Sequence, residues 1–175
     1  MRLLIVASVV LGLTLPRANA MKAEVVLDYP IGVGASAQNF NSNLGFSGAF
    51  YVDPILNPAV NNFVSVGYQS LTLRSDTTTA FRVFPIMAGL ELPGKVFSDF
   101  STTIAASVGA AFAYLNSQSA TAYRAYAYFA AQVRGGVEYK VGDGFSVYAR
   151  IPVTYLIASS KMSYLTYSFG VNYQF

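Results

Sequence analysis

Apolar and polar residues alternate along most of the chain with a period of two. The final segment shows this most plainly. Leu165, Tyr167, Phe169, Val171, Tyr173 and Phe175 share one face, and Thr166, Ser168, Gly170, Asn172 and Gln174 share the other. Successive side chains of a strand point to opposite faces, so this segment has one apolar wall and one wall of small, polar residues. The segment before it repeats the pattern, with Phe145, Val147, Ala149, Ile151, Val153, Tyr155 and Ile157 set against Ser146, Tyr148, Arg150, Pro152, Thr154 and Leu156. Gly142-Asp143-Gly144 joins it to a third strand in a tight hairpin, where glycine supplies the positive φ such turns need. In that third strand Val133, Val137, Tyr139 and Val141 oppose Gln132, Arg134, Gly136, Glu138 and Lys140.

The alternation predicts five more strands upstream: Glu24 to Ser36, Leu44 to Asp53, Phe63 to Leu73, Ala80 to Leu92 and Phe100 to Leu115. The strand that enters the hairpin begins near Tyr123, which makes eight. Leu71 and Leu73 fall on the wrong parity of their strand, which points to a β-bulge near Ser70. Each segment supplies the about 9–11 residues a tilted membrane strand needs. Eight alternating strands suit either a soluble barrel with its apolar wall inside or a membrane barrel with that wall outside. The other wall discriminates. A water-exposed wall calls for Lys, Glu, Asp, Asn and Thr, whereas this one is mostly Gly, Ser, Ala and Gln, sizes that suit a narrow lumen. The expected fold is therefore all-β, an eight-stranded antiparallel up-and-down transmembrane β-barrel. A soluble lipocalin-like carrier is the second reading.

Residues 1–20 do not alternate. Arg2 precedes an apolar run from Leu3 to Leu15, Pro16 ends it, and Ala18-Asn19-Ala20 forms an A-x-A site. This predicts a cleavable signal peptide over 1–20, with Ala18 and Ala20 at the cleavage site and a barrel domain over 21–175. The apolar run is too short to span a bilayer, which takes about 20 residues. Composition then sharpens the picture. Of 175 residues, 54% are hydrophobic and only 11% are charged. Soluble domains carry about 25% charge. There are 11 Lys and Arg against 8 Asp and Glu with no basic run, which argues against a nucleic-acid partner. Histidine and cysteine are absent, so the usual zinc and haem sites, disulfides, Cys nucleophiles and His-based acid–base chemistry are not expected, and no cofactor is.

Several features together carry a family resemblance. They are the leader, Phe84-Pro85-Ile86-Met87-Ala88-Gly89-Leu90-Glu91, Gly135-Gly136-Val137-Glu138-Tyr139, and the ending Tyr167-Ser168-Phe169-Gly170-Val171-Asn172-Tyr173-Gln174-Phe175. In these the chain resembles the small outer-membrane β-barrels of Gram-negative bacteria, the OmpA/OmpX-like barrels. The resemblance implies residence in the outer membrane with both termini in the periplasm. It implies lipid as a partner, and the barrel-insertion machinery as a second partner reading a C-terminal signal at Phe169, Val171, Tyr173 and Phe175. A monomer is expected. The enzymes of this barrel class rely on histidine, which this chain lacks, so no enzymatic activity is expected. Tryptophan is also absent, so the interfacial girdles fall to Tyr139, Tyr173 and Phe175 at the inner interface and Tyr114, Tyr155 and Tyr167 at the outer. Tyr123, Tyr126 and Tyr128 are read as outer interface anchors, or else as an adhesive rim.

The polar wall carries Glu24, Asp28, Asp53, Glu91, Arg134, Glu138, Lys140 and Arg150. A regular hairpin pairs Val141 with Phe145 and sets Arg150 opposite Gly136, with Glu138 a diagonal neighbour within reach of a long side chain. A three-residue outer loop at Ser159 to Lys161 sets Gly170 on the other side of Arg150. The expectation is an interior charge network of Arg134, Glu138, Arg150 and Glu91 that plugs the lumen. The functional readings are a structural or surface-interacting envelope barrel and, as the alternative, a small-solute or ion pore.

Overall fold

The computed structural model describes residues 21–34, 39–52, 59–75, 78–117, 124–157 and 161–175. The expected signal peptide with its cleavage site at Ala18 and Ala20, and likewise Asp53 and Tyr123, lie outside the described residues. The strands are β1 (Lys22–Gly32), β2 (Phe40–Ser42), β3 (Gly45–Val52), β4 (Asn61–Leu73), β5 (Thr79–Lys95), β6 (Phe100–Ser117), β7 (Arg124–Gly142), β8 (Phe145–Ile157) and β9 (Lys161–Gln174). Every pairing is antiparallel: β1 pairs with β3, the strands from β3 to β9 each pair with the next in the chain, and β1 pairs with β9 along its whole length. The ring therefore closes as a barrel. β2 is a three-residue extension that pairs with the far end of β4, so β2 and β3 together count as one of eight barrel strands.

The burial pattern is inverted relative to a water-soluble protein. Val25, Ile104 and Phe169 are 69%, 64% and 62% exposed, whereas Glu24, Glu91 and Arg150 are 3%, 1% and 3% exposed. The apolar parity of each strand points outward and the other parity points into the lumen. All six girdle positions, Tyr114, Tyr139, Tyr155, Tyr167, Tyr173 and Phe175, are exposed on the outer wall.

Three local expectations are corrected. The register between β4 and β5 stays constant from Asn61↔Glu91 to Thr72↔Ala80, so β4 itself is regular at Ser70; the extra residue lies on the facing segment, where Ser42↔Leu71 and Phe46↔Tyr68 differ in register by one. Leu71 departs from the simple pattern because it points inward, where it is 1% exposed. It joins Phe81, Val83, Met87, Tyr128, Leu156 and Tyr164 in an apolar cluster inside the barrel. Tyr128 is thus a lumen residue and not part of an outer rim, while Tyr126 is exposed. The third correction concerns the β7–β8 hairpin. Gly142, not Val141, pairs with Phe145, with a register shift after Lys140. Gly144 has φ 72°, so the turn is tightened by one left-handed residue and one bulged position.

The inward Leu71 gives a test. Leu71→Ala is expected to cost about 2–5 kcal/mol, the range for a buried large-to-small change. Val66→Ala, on the outer wall, is expected to cost clearly less. Urea unfolding in lipid vesicles reads both.

Candidate functional site

The candidate site is the charged layer of the lumen, near the end where β1 begins and β9 ends. Its centre is Arg150 on β8, which donates from Nη1 to Glu24 Oε2 at 2.6 Å and from Nη2 to Glu24 Oε1 at 2.8 Å. This is a bidentate fork, the strongest geometry available to an arginine and a carboxylate. Arg134 on β7 donates to Glu91 Oε2 at 3.0 Å and to the Tyr51 hydroxyl at 2.7 Å. Tyr51 in turn donates to the same Glu91 oxygen at 2.9 Å. Arg150 Nη2 lies 3.4 Å from Glu91, which links the two halves. Lys22 at the start of β1 donates to Glu138 at 2.9 Å and sits 3.2 Å from Glu24. The guanidinium groups also stack on rings, Arg134 on Phe63 and Arg150 on Tyr148, each at 4.0 Å.

Local sequence makes room for this. Arg150 pairs with Gly136, and a Cβ there would collide with Arg150 Cγ. Gly170 does the same for Tyr148, whose ring atom Cζ lies 2.6 Å from where its Cβ would stand. The strand alternation then aims every member inward.

Arg134, Glu138, Arg150 and Glu91 all lie in this layer, but their roles differ from the expectation. Glu138 is a peripheral partner, 4.0 Å from Arg150 and bound more closely by Lys22. Glu24, Tyr51 and Lys22 were not singled out from the sequence, and Glu24 is the principal partner of Arg150. Gly170 does not flank Arg150. The β8–β9 register pairs Arg150 with Ser168 and Tyr148 with Gly170, because Ile157 pairs with Lys161 and the connection lies one residue earlier than expected. Asp28, above this layer, accepts from Ser47 at 2.6 Å and Ser168 at 2.5 Å. A cavity of about 40 Å³ lies among these groups, bounded by Asp28, Ser47, Gln69, Gln132 and Ser168. Beyond it, toward the far end, lies the apolar cluster around Leu71 and Tyr164.

Comparison with solved structures places this architecture. Neisserial surface protein A aligns with a TM-score of 0.67 and 16% identity, covering 90% of this chain and 99% of that one. Ail, the attachment invasion locus protein of Yersinia pestis, gives 0.59 and 12%, covering 89% and 98%. The N-terminal β-barrel domain of Pseudomonas aeruginosa OprF gives 0.55 and 12%, covering 88% and 97%. This chain has the fold of the small outer-membrane β-barrels. It is the fold that the OmpA/OmpX-like resemblance implied. No protein-family model matches the sequence, and no curated protein matches it significantly.

The fork between Arg150 and Glu24 is expected to dominate the stability of this layer. Arg150→Ala leaves a buried carboxylate unpaired and is expected to cost about 3–5 kcal/mol. Replacing both partners by apolar residues, as in Arg150→Met with Glu24→Leu, is expected to cost less than Arg150→Ala alone. Denaturant unfolding of the refolded barrel checks the order.

Proposed function

We propose that the chain is an integral outer-membrane β-barrel with a structural or surface-interacting role, its lumen closed by its own side chains. The inverted burial carries this reading. A continuous apolar outer wall is costly in water and favourable in lipid, and a closed barrel leaves no strand edge to be satisfied within the bilayer. The start of β1 and the end of β9 lie at one end of the barrel, which we place in the periplasm. Lipid is the main partner, since apolar side chains project outward around the ring, and we take the protein to act as a monomer. The outward row Phe169, Val171 and Tyr173 on β9, continued by Phe175 just after it, is offered to the insertion machinery during assembly. All four are exposed on the outer wall.

Two layers support a closed lumen. The ion-paired layer crosses it near the start of β1, and the apolar cluster fills it toward the other end. The space between them is about 40 Å³, enough for a few waters and too small for a solute. The role is non-enzymatic: the chain has no histidine or cysteine, the lumen arginines are committed to Glu24 and Glu91, Glu138 to Lys22, and Asp28 to two serine hydroxyls.

Two measurements test this. The protein refolded into vesicles is expected to migrate faster unheated than boiled on a denaturing gel, as a compact barrel does. Protein that stays soluble and monodisperse without detergent would contradict the membrane reading. In planar bilayers it is expected to give no steady conductance, whereas reproducible unitary steps would favour the pore.

A further inference from the structure

Along β5 the outward parity is apolar from Phe84 to Leu92 and carries one charge above it. It is Arg82 on β5, exposed and on the outward parity between Ala80 and Phe84. Its place in the wall is specific. From Leu92 to Arg82 is roughly ten residues, and a strand rising about 3.3 Å per residue at a tilt of about 40° climbs about 25 Å over that length. That is about the height of the apolar band of a membrane barrel, so with Leu92 at the lower edge Arg82 stands at the upper edge.

The neighbours of Arg82 are equally specific. Its register partners are Ser70 on β4 and Tyr114 on β6, both on the same outward face. The group thus combines one guanidinium with two hydroxyls and contains no carboxylate. No ion pair among the described residues holds Arg82. Arg74, also exposed, follows the end of β4 on the same side. Beneath Arg82 the wall is aromatic. Phe46 contacts Tyr68, Tyr68 contacts Phe84 and Phe84 contacts Tyr114, with ring centroids 5.2, 5.1 and 5.7 Å apart. This ladder runs through Phe84, two residues below Arg82, and ends on Tyr114 at the level of the charge.

We propose that Arg82, with Ser70 and Tyr114, binds the phosphate of a lipid headgroup in the leaflet at the end of the barrel opposite the start of β1. The proposal rests on the membrane reading above. A guanidinium offers a planar fork of donors that matches phosphate oxygens, and it keeps its charge at any working pH. The two hydroxyls add donors on either side. A lipid satisfies both parts of the surface at once, its phosphate on the donor cluster and its acyl chains on the aromatic ladder. A soluble phosphate engages only the first part.

The test uses full-length protein refolded in detergent micelles doped with equal amounts of phosphatidic acid and phosphatidylcholine. Native mass spectrometry counts the lipids retained. The wild type is expected to retain phosphatidic acid over phosphatidylcholine by about fivefold, the scale of one surface cation acting on one anionic lipid. Arg82→Gln is expected to abolish that preference, and Lys95→Gln, at the opposite rim, to preserve it. Tyr114→Phe, which keeps the ring and removes one donor, is expected to weaken it. It carries the test if Arg82→Gln fails to reach the compact form.

An unchanged preference in Arg82→Gln overturns the site, as does equal loss in Lys95→Gln. Displacement of phosphatidic acid by millimolar inorganic phosphate overturns the lipid as its occupant. Failure of the wild type to give a heat-modifiable form in vesicles would instead contradict the membrane reading itself, so the two failures are told apart.

Discussion

The rest of the structure depends on one constraint: the backbone must satisfy its own hydrogen bonds all the way round the ring. The pairing of β1 with β9, from Lys22↔Gln174 to Gly32↔Tyr164, removes the last free edge. Once the ring is closed, each strand has only an inside and an outside, and period-two alternation assigns every side chain to one of them. The outer wall can then be apolar throughout without exposing unpaired amides to lipid. The inner wall must be filled by whatever the other parity supplies, because eight strands leave room for little else.

That filling is layered. Near the start of β1, arginines and carboxylates neutralise one another across the lumen through the Arg150–Glu24 fork and the Arg134–Glu91–Tyr51 triangle. Such groups are expensive to bury singly and tolerable together. Toward the other end the barrel packs like an ordinary hydrophobic core, with Leu71, Val83, Leu156 and Tyr164 almost fully buried. The polar middle around Asp28 joins the two. Glycines at 136 and 170 let bulky groups from neighbouring strands occupy space that a Cβ would take.

The strands and the identity of the two walls were legible in the sequence, because alternation is a local property and a strand converts it directly into faces. The apolar inner layer was not. Leu71 and Tyr128 sit on the parity that carries polar residues elsewhere in the chain, and a reading that expects one polar wall sees them as a slip or a rim. Only closure shows that the lumen has a dry end. The charge network was half legible. Arg150 opposite Gly136 follows from a hairpin and was correct, since hairpin register is set by a few residues. The Arg150–Glu24 pair joins residues 126 positions apart, and nothing local marks Glu24 as the partner. Its one signal was its place on the polar parity of the first strand, next to the last strand only once the ring closes.

The central claim is that the apolar parity faces lipid and the polar parity faces a filled lumen. Spin labels placed singly along β8 in vesicles test it directly, through collisions with oxygen, which partitions into hydrocarbon, and with a polar nickel chelate, which does not. Labels at Val147, Ile151 and Tyr155 are expected to show high oxygen and low nickel accessibility. Those at Ser146, Tyr148 and Thr154 are expected to show little access to either. High nickel accessibility at Ser146, Tyr148 and Thr154, with neither reagent reaching Val147, Ile151 and Tyr155, would mean that the apolar wall faces inward, and would contradict the account.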